Sequence, residues 1–409
     1  MSRHVLSLLL ILLLEPFPPF ALGAQQSPFP VPAGLQGAVD FWQQVFTRYS
    51  YGEVILFDPL DPGKIYSVLR AAETEQGRAL VSNERTRIAT EYDLADDESR
   101  VRSQRGAKEP FSEGLRISGR YIAQMQKIFR AEGLPGELAY LPLVESSFNV
   151  RARSGAGAVG MWQFIPETGK KFMRIDGAVD ERRDPMASTR AAARLLKENY
   201  RILRSWPLAL TAYNHGTEGI FRGIESVGSR DLVELIRHYR SPTFGFASKN
   251  FYAEFLAVVE IASQPDKHFP FLRLHRPLVL SEVEIKKATA VGAVLKPAAI
   301  SQGAFFQWNP ALETGTKVIP AGYRVNLPAE KIQPFLAAQA RAAAKPVKAL
   351  AGGVRKVAAA PAAAQLAREP VANAGSAKTV RAAVSSVSKR RLSVRTKDRV
   401  VKDGRLGNR

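Results

Sequence analysis

Cysteine is absent from the whole chain. That removes disulfides, thiolate metal ligands and cysteine nucleophiles together. Histidine is scarce, and the five present, His4, His215, His238, His268 and His275, show no paired ligand spacing, so metal chemistry has no support. No glycine-rich phosphate loop links a strand to a helix, so a nucleotide or other cofactor is not expected. Long apolar runs are also missing. The longest near the start, residues 5–14, is too short to span a bilayer as a stable helix. With Arg3 before it and Ala21, Gly23 and Ala24 after it, residues 1–24 read as a signal peptide, which directs the rest to the periplasm or outside the cell.

Acidic residues are outnumbered, 38 against 58 Lys and Arg, for a net charge of +20. The excess is uneven: residues 341–409 hold 17 basic and three acidic side chains. Such a tail condenses on polyanions, and behind a signal peptide the cell wall or an anionic membrane surface is the expected contact, with no specific nucleic acid. From residue 340 onward, Ala, Pro, Lys and Arg alternate with few large apolar residues. Too little surface could be buried to offset ordering entropy, so residues 340–409 are expected to be disordered.

The remainder of the 409 residues is long enough for two or three domains. Phe41, Trp42, Val45, Phe46 and Tyr49 recur at spacings of three and four, which predicts a helix over 39–51 with a core-facing aromatic stripe. Short strands are expected at 53–57 and 65–69, and a solvated helix over 80–104. One helix is expected over 115–131, stopped by Gly133 and Pro135. The next, over 138–144, would be bent or ended by Pro142 just before Glu145. Asp184 and Pro185 read as the cap and first residue of a scaffold helix reaching Leu203. Further helices are expected at 206–214, 231–239 and 248–263.

Chemistry concentrates in residues 141–169. Glu145 closes an apolar run, where partial burial keeps a carboxyl protonated near neutral pH, as a general acid requires. Ser146, Ser147 and Asn149 add short polar groups. Gly155, Gly157 and Gly160 permit positive φ and close backbone approach, and Trp162, Gln163 and Phe164 combine aromatic faces with an amide. The mixture suits a sugar.

Glu145-Ser146-Ser147-Phe148-Asn149, then the run from Ser154 through Gly157, Gly160, Met161, Trp162 and Gln163 to Pro166, and later Ala212-Tyr213-Asn214-His215-Gly216, resemble the successive motifs of the soluble lytic transglycosylase (SLT) domain, closest to the membrane-bound D type. The resemblance implies a mainly α fold. A lysozyme-like (goose-type) catalytic domain over 105–265 would follow a short α/β lead-in over 25–104. Residues 275–335, with strand, two helices and strand, are similar to a small α+β LysM-like module, although the GDTL-type opening is missing. By the same resemblance Glu145 is the sole catalytic carboxylate, and it cuts the MurNAc–GlcNAc β-1,4 bond of peptidoglycan strands without water, leaving a 1,6-anhydro end. Ser154, Gln163, Tyr213 and Asn214 would bind or orient substrate, with the backbone from Gly157 to Met161 as the floor. Two features depart from the family. D-type members are often lipoproteins held through a cysteine that this sequence lacks, so a soluble or ionically held protein is expected. Many have tyrosine where this chain has Phe251, and the neighbouring Tyr252 should face another way. Two other readings stay open: a goose-type muramidase, with Asp176, Asp180, Glu181 or Asp184 as the base for water, and a catalytically silent peptidoglycan binder.

Overall fold

The computed structural model describes residues 27–344. The expected signal peptide and residues 345–409 of the tail lie outside that range. The described chain is mainly helical, with small antiparallel sheets. It opens with α1 (Gln36–Thr47), β1 (Glu53–Asp58), β2 (Asp61–Arg70), α2 (Glu75–Glu91) and β3 (Arg102–Arg105). The aromatic stripe of α1 is core, as its spacing predicts: Phe41, Trp42, Val45 and Phe46 are buried. The Trp42 indole N–H donates to Asn250 Oδ1 at 3.0 Å. The expected helix over 80–104 is wrong in its second half. α2 stops at Glu91, and β3 pairs with β1 from Val54↔Arg105 to Phe57↔Arg102, completing the order β2-β1-β3. The poor helical periodicity of that stretch reflects a charged edge strand, where pairing to the buried β1 outweighs local propensity.

Next come α3 (Lys108–Ser118), α4 (Ile122–Ala131), a 3-10 turn over Gly136–Tyr140, α5 (Leu141–Ser146) and α6 (Pro166–Gly169). The single helix expected over 115–131 is broken between Ser118 and Ile122. Pro142 does not end a helix before Glu145 either. It lies in the first turn of α5, where its missing N–H costs no intrahelical bond, so Glu145 sits inside the last turn.

Five larger helices complete this body: α7 (Pro185–Leu203), α8 (Trp206–His215), α9 (Thr217–Val227), α10 (Leu232–His238) and α11 (Phe246–Ser263), followed by the short α12 (Pro265–His268). Asp184 caps α7 as expected, accepting from the Met186 and Ala187 N–H groups at 2.9 and 2.8 Å. α11 is the central post, packing against α1, α5 and α8.

The C-terminal part runs β4 (Ser281–Glu284), β5 (Thr289–Ala290), α13 (Val291–Ala298), α14 (Gln302–Trp308), β6 (Val318–Ile319), β7 (Arg324–Leu327) and α15 (Ala329–Ala344). β4 pairs with β7 and β5 with β6, both antiparallel. Its own core gathers Val294, Phe305, Phe306, Tyr323, Val325 and Phe335, and also takes in Val179 from the helical body. Polar ties reinforce that docking: Asp180 N–H to the Ala311 carbonyl at 2.9 Å, Arg190 to Glu282 at 2.7 Å, and Asn326 Nδ2 to Asp184 Oδ2 at 2.7 Å. Residues 340–344, expected to begin a disordered tail, belong to α15.

Asp184 therefore serves two units with one buried carboxylate, and burial pushes its pKa up. Asp184→Ala removes the cap and orphans the Asn326 amide, so chemical denaturation should show a loss of about 2–4 kcal/mol. Asp184→Asn, which keeps a cap acceptor, should lose less.

Candidate active site

Glu145 is half-buried at the end of α5, which then terminates abruptly. Ser147 and Phe148 both adopt left-handed backbone, at φ 51° and 58°. Two consecutive non-glycine residues in that region cost roughly 1–3 kcal/mol each. Burial of Phe148 holds the second, and both N–H groups turn back onto the Pro142 carbonyl. α3 braces the turn from behind: a Cβ on Gly114 would lie 2.8 Å from the Ser147 carbonyl oxygen and 2.9 Å from its Cα. Only glycine permits that approach.

The glycine-rich stretch folds as two bridged turns, Arg153↔Val159 and Val159↔Phe164. Ser154 is mostly occupied in shaping the first, its Oγ accepting from the Ala158 N–H at 3.0 Å. Gly157 and Gly160 have φ of +81°, but the close approach at Gly160 is to the protein's own backbone: a Cβ there would meet the Arg182 carbonyl oxygen at 1.8 Å. Arg182, in sequence one charge among several in a polar loop, is the hidden organiser. Its guanidinium is buried, forks onto Asp180 through Nε and Nη2, both at 2.9 Å, and donates to the Gly157 and Phe164 carbonyls.

Three expected contacts with a ligand change character. Trp162 and Phe164 are buried, and the Trp162 indole N–H is spent on Thr189 Oγ1 at 3.0 Å, so neither ring is a sugar platform. The Met161 side chain is equally buried and its carbonyl accepts from Ser146 Oγ at 2.8 Å. Gln163 is at φ 48° and donates its amide to the Gly160 carbonyl at 2.7 Å, which fixes its orientation while keeping it partly exposed.

Two separate motifs are nonetheless tied to the loop of the third. Ser146, beside Glu145, binds the Met161 carbonyl. Tyr213, delivered by α8, donates its hydroxyl to the Trp162 carbonyl at 2.8 Å. Asn214 Oδ1 accepts from Ser248 Oγ at 2.8 Å, and Phe251 stacks parallel to the Tyr213 ring at 6.3 Å. Ser146 and Ser248 are thus structural partners. Sequence reasoning misses Ser248, since a serine at a helix start carries no distinctive spacing. Tyr252 faces away, with its hydroxyl on the Pro30 carbonyl at 2.8 Å.

Residues 123–235 match the transglycosylase SLT domain. The resemblance carried by the motifs is therefore found independently, over a stretch that includes Glu145, Gln163 and Tyr213. Over 103 residues the chain is 38% identical to membrane-bound lytic murein transglycosylase D of Escherichia coli strain K12, covering 25% of this chain and 23% of that protein. The same figures hold for the protein of that name in Escherichia coli O6:H1. The chain thus matches less than a quarter of the length of these relatives. Among solved structures, an inactive mutant of the lytic transglycosylase Slt from Pseudomonas aeruginosa aligns at a TM-score of 0.32 and 19% identity, covering 45% of this chain and 30% of that one.

Among the described residues no cluster of three or more His, Asp or Glu side chains could hold a metal. At the end of α8, His215 packs edge-on against Phe244, with ring centroids 4.9 Å apart, and its buried Nε2 has no hydrogen-bond partner. Burial, with Arg222 nearby, lowers its pKa below the ordinary value of 6.5. The unfolded chain therefore gains a proton as pH falls through about 6.5 while the folded chain resists it, so stability is lost on acidification. Melting curves taken from about pH 7.5 to about 5.5 should show a smaller acid-induced drop for His215→Gln than for the parent.

Proposed function

We propose that the chain is a peptidoglycan lytic transglycosylase with Glu145 as its only acid/base. The observation that carries this reading is that the Glu145 motif, through Ser146, and the Tyr213 motif are both bonded to the Met161–Trp162 loop that precedes Gln163, within the SLT-domain match. The relatives' names, lytic murein transglycosylase, support the same substrate class.

Protonated Glu145 donates to the oxygen between MurNAc and GlcNAc as positive charge develops at the MurNAc anomeric carbon. The substrate's own N-acetyl group stabilises that charge, so no second carboxylate is needed. The ionised Glu145 then takes the proton from the C6 hydroxyl of the same MurNAc, whose oxygen closes on the anomeric carbon. One C–O bond breaks and one forms, no water is consumed, and the acid is regenerated. Gln163, oriented by Gly160, and Tyr213, anchored on Trp162, border the sugar, with Asn214 held by Ser248. Ser154 and the backbone of Gly157 shape the adjoining turn, and Met161 contributes through its backbone N–H.

Hydrolysis by a second carboxylate is less well supported. Asp176 accepts from the Ala178 and Val179 N–H groups and pairs with Arg174, Asp180 is forked by Arg182, Glu181 accepts from the Arg174 N–H, and Asp184 is buried under its cap and Asn326. Each of these carboxylates is thus engaged in holding the loop or the start of α7. The silent-binder reading leaves the strained turn that presents Glu145 without a purpose. The setting we propose is the wall side of the cytoplasmic membrane, with residues 1–24 as leader and the basic residues of 341–409 holding the enzyme to wall or membrane surface. Residues 275–335 form the LysM-like module of this reading.

Glu145→Gln should lower release of soluble fragments from purified peptidoglycan by roughly a hundred- to ten-thousandfold, the usual share of general acid catalysis, with an unchanged thermal melt. A variant as fast as the parent would overturn the assignment. Gly114→Ala should push the Ser147 turn and misplace the acid. We expect a rate about tenfold or more below the parent, with helical circular dichroism retained, since even ~1 Å of displacement can cost two orders of magnitude.

A further inference from the structure

A groove runs between the helical body and the C-terminal module. Its outer part is a cavity of about 260 Å³ lined by Arg120, Tyr121, Arg276, Leu278, Gln307 and Trp308. A narrower inner extension shares Tyr121, Leu278 and Trp308 and reaches Val150, Glu282, Asp184 and Asn326. Val150, two residues after the turn at Ser147 and Phe148 that follows Glu145, lines that inner extension. Its wall is fixed rather than loose: the linker after α12 is pinned to the end of α3 by His275 N–H to the Arg116 carbonyl at 2.9 Å and Leu278 N–H to the Arg120 carbonyl at 3.0 Å. The opposite wall, the end of α14, belongs to the module that Val179, Asp180 and Asp184 hold in place.

The charges in this groove are arranged asymmetrically. Of the two carboxylates at its inner end, Glu282 is paired with Arg190 and Arg324 at 2.7 and 3.3 Å, and the buried Asp184 accepts from the α7 N–H groups and Asn326. At the mouth, Arg120 and Arg276 form no ion pair among the described residues, and the Arg120 guanidinium interacts with the Tyr121 hydroxyl. Two guanidinium groups without a carboxylate are matched by an anionic, planar acceptor. Trp308 and Tyr121 offer partly exposed aromatic faces, and Gln307 an exposed amide. The volume lies just below the ~300–1,000 Å³ of drug-sized ligand sites, room for one sugar ring or one amino-acid residue.

We infer that this groove binds a carboxylate-bearing unit of the same peptidoglycan strand that Glu145 cuts, a second contact that sets the strand's register, resting on the functional reading above. The carboxylate has two sources in that substrate, the lactyl ether of a muramic acid and the stem peptide, and Arg120 and Arg276 recognise their shared chemistry. Trp308 then supplies stacking, and the Gln307 amide hydrogen bonds, to the adjoining residue or ring.

The test measures binding to the full chain carrying Glu145→Gln, which prevents turnover, with three soluble probes: glycan oligomers bearing stem peptides, the same glycans with peptides removed, and free stem peptide. Replacing Arg120 and Arg276 by Ala should weaken binding of the peptide-bearing glycan about tenfold or more, with an unchanged melting temperature, and Lys at both positions should restore part of it. Loss shared with free peptide identifies the peptide carboxylate, and loss shared with the peptide-free glycan identifies the lactyl group. Equal affinity of parent and double variant for all three probes overturns the inference. A parent chain with native Glu145 that binds in an arginine-dependent way yet cleaves nothing would leave the groove standing and remove the enzymatic reading.

Discussion

The guanidinium of Arg182 holds together chain segments that otherwise have little reason to meet. It forks onto Asp180 and donates to the carbonyls of Gly157 and Phe164, while its own carbonyl presses against Gly160. A buried cation is tolerated only when its desolvation is offset by well-formed bonds, and here a bidentate carboxylate and two carbonyls supply them. The glycine-rich turns take their shape around it. The loop that carries Arg182 also reaches the C-terminal module, through Val179 in its core and Asp180 on the Ala311 backbone, and then starts α7 at Asp184. One buried ion pair thus sets the turns beside the acid and the seat of the second unit.

The placement of Glu145 depends on strain held in place by packing. α5 is short and ends in costly backbone at Ser147 and Phe148, stabilised by the burial of Phe148 and by a glycine on α3 that lets a helix lie directly against the turn. Strain of this kind survives only where the surroundings over-determine it. Here the surroundings are a core built on α11, which packs on α5 and brings Phe251 against the Tyr213 ring.

Glu145, Gln163, Tyr213 and Asn214 can be singled out without a structure because they stand in successive motifs that resemble those of the SLT domain. Caps and core stripes are legible from residue type and spacing, as Asp184 and the α1 aromatics attest. Long-range partnerships are not. Nothing local distinguishes Trp162, a core indole bonded to Thr189, from an exposed sugar platform. Arg182 looks like one more charge in a polar loop, because its partners are carbonyls 18 and 25 residues away. β3 is invisible for the corresponding reason, since an edge strand rich in Arg takes its identity from β1.

In the function proposed above, these constraints present the half-buried Glu145 to a glycan, while Asp176, Asp180, Glu181 and Asp184 are each engaged in structural bonds. The most direct measurement is cleavage of purified peptidoglycan in heavy-oxygen water, followed by mass spectrometry of the released muropeptides. The account predicts anhydro ends that carry no label, because the ring closes on the sugar's own C6 oxygen. Reducing ends carrying one heavy oxygen would contradict it and make the chain a muramidase.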